Sequence, residues 1–156
     1  MVAEKKKKRI RHMGKVCFAI YVTVALHFLF FSDYLDRTML SDEWRYNLTP
    51  FAEIRRFWVC REQLGLSTYL NIVGNVVCFI PFGFLLPVMT KKKFFHNVFF
   101  VVLCTALFSF GIEMIQMLTR VGAFDVDDII LNSIGGLVGY ICMVIMKKTY
   151  KNMMTV

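Results

Sequence analysis

The residues best suited to chemistry lie in one stretch of the chain, between positions 113 and 139. Its members are Glu113, Gln116, Arg120, Asp125, Asp128 and Asn132, followed by Gly135, Gly136 and Gly139. They lie between and inside two segments that are apolar enough to cross a membrane. An ionisable residue at a membrane span is costly, so it usually marks a working site or a specific helix contact.

Three kinds of chemistry fit these residue types. Glu113 together with an aspartate can act as a general acid/base pair for hydrolysis or transfer at a lipid head group. Glu113, Asp125 and Asp128 together can hold Mg²⁺ or Ca²⁺, which prefer oxygen ligands, and so grip a phosphate. Arg120 can bind a phosphate or a carboxylate directly. The three acids are therefore the candidate catalytic residues.

Structural roles compete with each of these interpretations. Asp125 can cap a following helix, with Asp128 at its third position as in a capping box. Arg120 can simply pair with either aspartate. The spacing Gly135-x-x-x-Gly139 is typical of helices that approach closely, which is a packing role. Buried asparagines can serve as interhelical hydrogen-bond partners.

Helical periodicity groups the polar residues on shared faces. Asn71 and Asn75 share one face of a helix. Glu113, Gln116 and Arg120 share a face of the next, and Asp125, Asp128 and Asn132 share a face of the last, while Asp127 points the other way. These faces lie at similar depth, so we expect one cavity near the outer membrane surface. The candidate ligand-binding residues are Asn71, Asn75, Gln116, Arg120 and Asn132.

Hydropathy predicts an all-α integral membrane protein with four transmembrane helices. Hydrophobic residues make up 57% of the 156 residues, above the usual range for soluble proteins, and they fall in blocks. The predicted domain organisation is a basic head at 1–15, a four-span domain at 16–146 and a tail at 147–156. Its spans cover about 16–31, 69–89, 94–118 and 129–146, with outer loops at 32–68 and 119–128.

The distribution of charge predicts the orientation. The formal net charge is +8, and every lysine falls within 5–15, 91–93 or 147–151, beside an apolar segment. Because basic residues accumulate on the cytoplasmic side, both termini are expected in the cytoplasm of a cell-membrane protein. The same distribution argues against nucleic acid as a partner, since the basic groups flank spans and form no face with aromatic residues.

The first outer loop contains one predicted amphipathic helix. Thr49 can cap it and Pro50 suits its first position. Helical spacing then relates Phe51, Ile54, Phe57 and Trp58, with charged residues between them. The helix is suited to the membrane surface, or equally to packing over the ends of the spans.

The polar signature resembles that of the VanZ-like membrane proteins. The match comprises Glu113-x-x-Gln116, Arg120, Asp125-x-Asp-Asp128 and Asn132-x-x-Gly135-Gly136-x-x-Gly139, preceded by Asn47-Leu48-Thr49-Pro50-Phe51 and Asn71-x-x-Gly74-Asn75-x-x-x-Phe79-x-Pro81-x-Gly83. The resemblance implies a membrane fold and an association with low-level resistance to the glycopeptide teicoplanin in Gram-positive bacteria. It implies no defined reaction.

The combined hypothesis is a cell-envelope membrane protein. It would bind, with or without modifying it, a lipid-linked or peptidoglycan-related head group at the outer face of the membrane. Two alternatives remain open at this point. One is a non-catalytic membrane scaffold whose polar residues only hold the bundle and a partner protein, and the other is a small transporter subunit.

Overall fold

The computed structural model describes residues 2–31, 44–60 and 66–153. These residues form five α-helices, one short 3₁₀ helix and two very short strands. In chain order they are α1 (Val2–Phe31), β1 (Tyr46–Asn47), α2 (Ala52–Cys60), α3 (Leu66–Met89), the 3₁₀ helix (Lys93–His96), α4 (Val98–Leu118), β2 (Phe124–Asp125) and α5 (Val126–Met153).

Three of these helices are long and apolar enough to cross a membrane. Within the described residues they are the segments Tyr69–Met89, Val98–Leu118 and Val126–Tyr150. The predicted all-helical membrane architecture is confirmed in this form, with three qualifying helices instead of the four expected. The basic head and the first apolar segment, which the sequence analysis separated, are one continuous helix, α1.

Two of the helices do not begin at the residues where the predicted spans begin. The third span was expected from residue 94, but α4 begins at Val98. Asn97 caps it, since its side chain accepts a hydrogen bond of 2.9 Å from the amide of Phe99. The fourth was expected from residue 129, but α5 already begins at Val126. The loop between these helices is therefore shorter than predicted.

Helices α3 and α5 pack against each other most extensively, and glycine makes their approach possible. A methyl group added at Gly83 would overlap the backbone of Gly136, and one added at Gly139 would overlap the carbonyl oxygen of Ile80. At Gly135 it would overlap the carbonyl oxygen of Val76. The packing role predicted for the glycine pair on α5 is therefore confirmed.

Aromatic side chains fill the core beside this glycine contact. Phe79 and Phe82 of α3 are buried, and the ring of Phe82 stacks on Phe108 of α4 with 5.0 Å between ring centroids. On its other side, Phe82 meets Phe18 of α1 at 5.4 Å. The same side chain thus ties three helices together, which fixes α1 along α3.

The bundle has two chemically different ends. At one end, which we call the basic end, the lysine-rich segments meet. Lys6 of α1 donates a hydrogen bond of 2.8 Å to the hydroxyl of Tyr150 near the end of α5, and Tyr140 donates to the carbonyl of His96 in the 3₁₀ helix. The first turns of α1, the segment 91–96 and the last turns of α5 therefore share one end.

At the opposite end, which we call the acidic end, the segment 44–60 packs on the loop between α4 and α5. Strands β1 and β2 pair in parallel, with Tyr46 opposite Phe124 and Asn47 opposite Asp125. The sequence analysis predicted no strand, and this pair is only two residues long. It holds the segment 44–60 directly over the start of α5.

Helix α2 begins later than predicted. Thr49 and Pro50 form a turn, Phe51 has a positive φ of 63°, and the helix starts at Ala52. Phe57 then packs edge-on against Tyr69 of α3 at 4.8 Å, while Trp58 is 67% exposed. The packing role expected of this helix is therefore observed at Phe57, whereas its role at the membrane surface stays a prediction.

Candidate functional site

Asp125 caps α5, as the sequence analysis allowed. Its Oδ1 accepts a hydrogen bond of 2.8 Å from the amide of Asp127, the second residue of the helix. In a capping box, the acid at the third position would accept from the backbone amide of the capping residue. Here the amide of Asp125 donates instead to Oε2 of Glu113, at 3.1 Å. Glu113 of α4 therefore supplies the second half of the cap from another helix.

Asp128 points toward α3 and not back to Asp125. It accepts a hydrogen bond from Nδ2 of Asn75, and the two side chains are 6% and 5% exposed. This contact links α3 to the first turn of α5. The capping-box role considered for Asp128 is therefore wrong, and its position on an interhelical face is what the helical periodicity predicted.

Asn132 lies one turn further along α5 and contacts α4. Its Nδ2 donates a hydrogen bond of 2.8 Å to the hydroxyl of Ser109, and both residues are buried. Its Oδ1 is also buried, yet within the described residues it has no hydrogen-bond partner. An unsatisfied buried acceptor costs free energy, so it is a natural place for a donor from a ligand or from water.

These contacts bring together the polar residues of three helices. We call this group the polar cluster and define it as Asn75, Ser109, Glu113, Asp125, Asp128 and Asn132. It includes every residue proposed as catalytic. Two of those three acids are almost inaccessible, with Glu113 only 3% exposed. The cluster is thus interior to the bundle at the acidic end.

Three further residues proposed as ligand-binding lie outside this group. Gln116 is 1% exposed, and its carbonyl accepts from the amide of Gly122 at 3.3 Å. Asn71 is half-buried, one helical turn before Asn75. Arg120 is exposed and lies beyond the end of α4, in a left-handed turn with φ of 59°. The expectation that Arg120 continues the face of Glu113 was wrong, because the helix ends at Leu118.

Asp127 was set aside by the sequence analysis but is a fully buried acid. Its Oδ1 accepts a hydrogen bond from the amide of Phe51, the residue with the left-handed backbone before α2. As helical periodicity predicts, Asp127 points away from the polar cluster. Its contact with Phe51 could not be predicted from periodicity, since the position of residue 51 depends on the strand pair. Asp127 anchors the segment 44–60 and stands outside the cluster.

Asn47 covers the capping aspartate from the side of β1. Its Nδ2 lies 3.3 Å from both carboxylate oxygens of Asp125, and its Oδ1 accepts from the amide of Thr49. Burial raises the pKa of Asp125 above its ordinary value, opposed by hydrogen bonds from Asp127 and Asn47 and by the charge of Arg56.

The proposed metal site is not formed by these residues. Within the part of the chain that the structure describes, no group of three or more His, Cys, Asp or Glu residues is arranged to hold a metal ion. Glu113 and Asp128 instead accept hydrogen bonds from a backbone amide and an asparagine. The arrangement offers mainly acceptor oxygens, which suit a ligand rich in O–H and N–H groups.

Comparison with known proteins gives the chain relatives but no structural precedent. The sequence profile described as VanZ/LLP1 matches residues 18–147. Protein VanZ of Enterococcus faecium is 36% identical over 93 residues, which is 60% of this chain and 48% of that protein. The chain therefore spans about half the length of this relative. No solved structure matches.

The matched profile includes all the residues of the polar cluster, the glycines of α5 and the anchoring segment 44–60. It covers far more than half of the chain. The chain belongs to the VanZ/LLP1 family of membrane proteins.

Proposed function

We propose that the polar cluster binds the head group of a lipid-linked or peptidoglycan-related component at the outer face of the membrane, and that this reduces susceptibility to teicoplanin. The observation that carries the proposal is the buried, unpartnered Oδ1 of Asn132 beside two nearly inaccessible carboxyl groups, Glu113 and Asp128. Placing these groups at the end of a membrane bundle is costly, and a donor-rich ligand would offset that cost.

The chemistry of the cluster indicates which head groups it would prefer. Ionised carboxylates accept hydrogen bonds and do not donate them, and the free atom of Asn132 is also an acceptor. Sugars and short peptides present hydroxyl, amide and ammonium donors. Acid/base chemistry on such a group would fall to Glu113 and Asp125, because they meet at the cap of α5 and the pKa of Asp125 is raised.

The orientation is part of the same proposal. We infer that α1 forms a fourth span from about residue 16 to residue 31. Val16, Ile20, Val24 and Phe28 recur every four residues and are exposed, so they form a stripe suited to lipid. The basic end would then face the cytoplasm with both termini, and the acidic end would face outward.

A non-catalytic scaffold is a second candidate, and one observation favours it. Glu113 accepts from the backbone amide of Asp125, so its carboxylate holds the start of α5 in place. In this account the cluster only fixes the helices, and the exposed surface of the segment 44–60 contacts a partner protein. The two candidates differ in what a neutral replacement at Asp128 or Glu113 should do.

Mass spectrometry of lipids that copurify with the protein tests the binding proposal. We expect wild-type protein to carry a lipid-linked saccharide or peptide, and the double variant Glu113→Gln/Asp128→Asn to lose it while remaining folded. Both replacements keep an acceptor oxygen for the existing hydrogen bonds. The matched control is Asp127→Asn, a buried acid whose substitute can still accept from Phe51.

Three outcomes decide between the candidates. Loss of the lipid in the double variant, with retention in the control, supports a binding site. A wild-type protein without any such lipid contradicts the proposal. Equal retention in all three proteins favours the scaffold.

A further inference from the structure

A cleft at the basic end is bounded by two separate parts of the chain. It has a volume of about 1130 Å³ and lies between the first turns of α1 and the end of α3 with its following loop. Most of the side chains that line it are basic, among them Lys5, Lys8, Lys15, Lys91 and Lys92. Glu4 is the one acid among the lining residues.

Only part of the basic head contributes to the cleft. Lys5, Lys8 and Lys15 recur at helical spacing and line it, whereas Lys7 and Arg9 of the same turns do not. Lys6 also lies outside it and donates to Tyr150 of α5 instead. One face of α1 is therefore directed at the lysines that follow α3, and the other faces are not.

Packing holds the two walls of the cleft together. Gly14 of α1 is buried against α3, where a methyl group added to it would lie 3.3 Å from Val88. The ring contact between Phe18 and Phe82 continues the same seam one turn later. The cations of α1 and those of the loop are thus kept near one another by apolar contacts that give no electrostatic relief.

Such an accumulation of like charge is unfavourable without an anion. Charges that are closer than a Debye length, about 8–10 Å, repel each other with little screening. The single carboxylate of Glu4 cannot neutralise the several cations that line the cleft. A bound anion with more than one charged or acceptor oxygen would reverse the repulsion.

Apolar side chains also line the cleft, and they favour an anion that carries an apolar part. Leu86, Met89 and Phe95 line it beside the lysines, and Leu86 and Met89 belong to the last turns of a membrane-crossing helix. The ends of a membrane span lie near the level of the bilayer's phosphate groups. Basic pockets between transmembrane helices are known to accommodate the head groups of anionic lipids.

We propose that this cleft binds an anionic glycerophospholipid. The phosphate lies among Lys8, Lys91 and Lys92, and the upper part of an acyl chain lies against Leu86 and Phe95. The volume exceeds the range of about 300–1,000 Å³ typical of small-molecule pockets, so a head group and the start of its chains fit together. The proposal is independent of the function proposed for the polar cluster.

The test compares two pairs of charge removals in the full-length protein in detergent. Lys8→Gln/Lys92→Gln removes one cation from each wall of the cleft. Lys7→Gln/Arg9→Gln removes two exposed cations of α1 that do not line it. The readout is the rise in melting temperature on adding phosphatidylglycerol, phosphatidylcholine with the same acyl chains, or inorganic phosphate.

We expect phosphatidylglycerol to stabilise the wild type and the Lys7/Arg9 variant, and the Lys8/Lys92 variant to require at least about tenfold more lipid. Equal stabilisation by phosphatidylcholine would overturn the proposal. So would an equal loss in both variants, which would indicate a diffuse charge effect. Stabilisation by inorganic phosphate to the same extent would also overturn it, because the ligand would then be a free anion and not a lipid. If the Lys8/Lys92 variant does not fold, Lys8→Gln is compared with Lys7→Gln.

Discussion

The two ends of the bundle differ in the sign of their charged groups and in how those charges are compensated. At the acidic end, buried polar side chains of α3, α4 and α5 are hydrogen-bonded between helices or to the backbone at the start of α5. At the basic end, cations are exposed around an open cleft, and the lining residues include one acid. The stability of the acidic end therefore depends on the geometry of its hydrogen bonds. The stability of the basic end depends on the sum of its charges.

The pKa shifts of Asp125 at the acidic end and His96 at the basic end reflect this difference. Burial raises the pKa of Asp125, and hydrogen bonds and Arg56 oppose the rise. Burial lowers the pKa of His96, and the neighbouring Lys147 lowers it further. For Asp125 the charge of Asp127 adds to the rise, but hydrogen bonds and Arg56 oppose it, whereas both causes lower the pKa of His96. Substitutions at the acidic end should accordingly act through lost contacts.

The largest effect is expected from labelling the two ends from outside the cell. In a cysteine-free variant, a cysteine at Gly122 should react with an impermeant maleimide, while cysteines at Lys92 and Thr149 should not. The reason is that the acidic end is proposed to face outward. Permeabilised cells, in which all three should react, provide the control. Reaction of the cysteine at Lys92 in intact cells would contradict the proposed orientation of the two ends.

A smaller but still large effect is expected at the glycine contact beside the polar cluster. Gly135→Ala places a methyl group against the carbonyl of Val76, next to Asn75, so α3 must move away from α5. We expect a loss of about 1–3 kcal/mol in the free energy of unfolding. Gly74→Ala is the matched control, since a methyl group there meets nothing within 4 Å. Equal melting temperatures for the two variants would contradict close packing here.

The hydrogen bond between Asn75 and Asp128 should be visible in a double-mutant cycle. Asp128→Ala leaves a buried amide without this acceptor, which should cost about 1–3 kcal/mol. Removing Asn75 as well should cost less than the sum of the two single changes. Chemical or thermal unfolding of Asn75→Ala, Asp128→Ala and the double variant supplies the measurement. Strict additivity would mean that the two residues do not interact.

The smallest effect is the pH dependence of Asp125. Because its folded pKa is raised above the ordinary value of 3.8, its contribution to stability is fully present in acid and is lost as the pH rises through the folded pKa. Wild-type protein should therefore lose melting temperature relative to Asp125→Asn as the pH rises from 3.8 through the folded pKa. Melting temperatures of the two proteins that change in parallel with pH would contradict a raised pKa.

Periodicity predicted those features of the fold that repeat along a helix. The shared faces of Asn75, Asp128 and Asn132, the glycine contact and the three qualifying spans all follow from side-chain spacing and hydropathy. The first span was predicted from hydropathy as well, and it stays a proposal. The assignment of catalytic roles also stays a proposal, because hydrogen bonds among the acids do not distinguish a working site from a structural one.

Features that depend on contacts between distant parts of the chain could not be predicted from the sequence. The cap of α5 is completed by Glu113, twelve residues upstream on another helix. The burial of Asp127 depends on Phe51, which the strand pair brings over the bundle. Arg120 was misplaced because a helix end with a left-handed residue usually has glycine at that position, and here it has arginine.

The central claim is that the polar cluster acts through the charge of Glu113 and not only through its hydrogen bond to Asp125. Glu113→Gln separates the two, since glutamine keeps an acceptor for that amide but cannot ionise or exchange a proton. Teicoplanin susceptibility of cells carrying this variant is measured beside the melting temperature of the purified protein. The account predicts that the reduced susceptibility is lost while the melting temperature stays near that of the wild type. Reduced susceptibility retained in full with glutamine would contradict it.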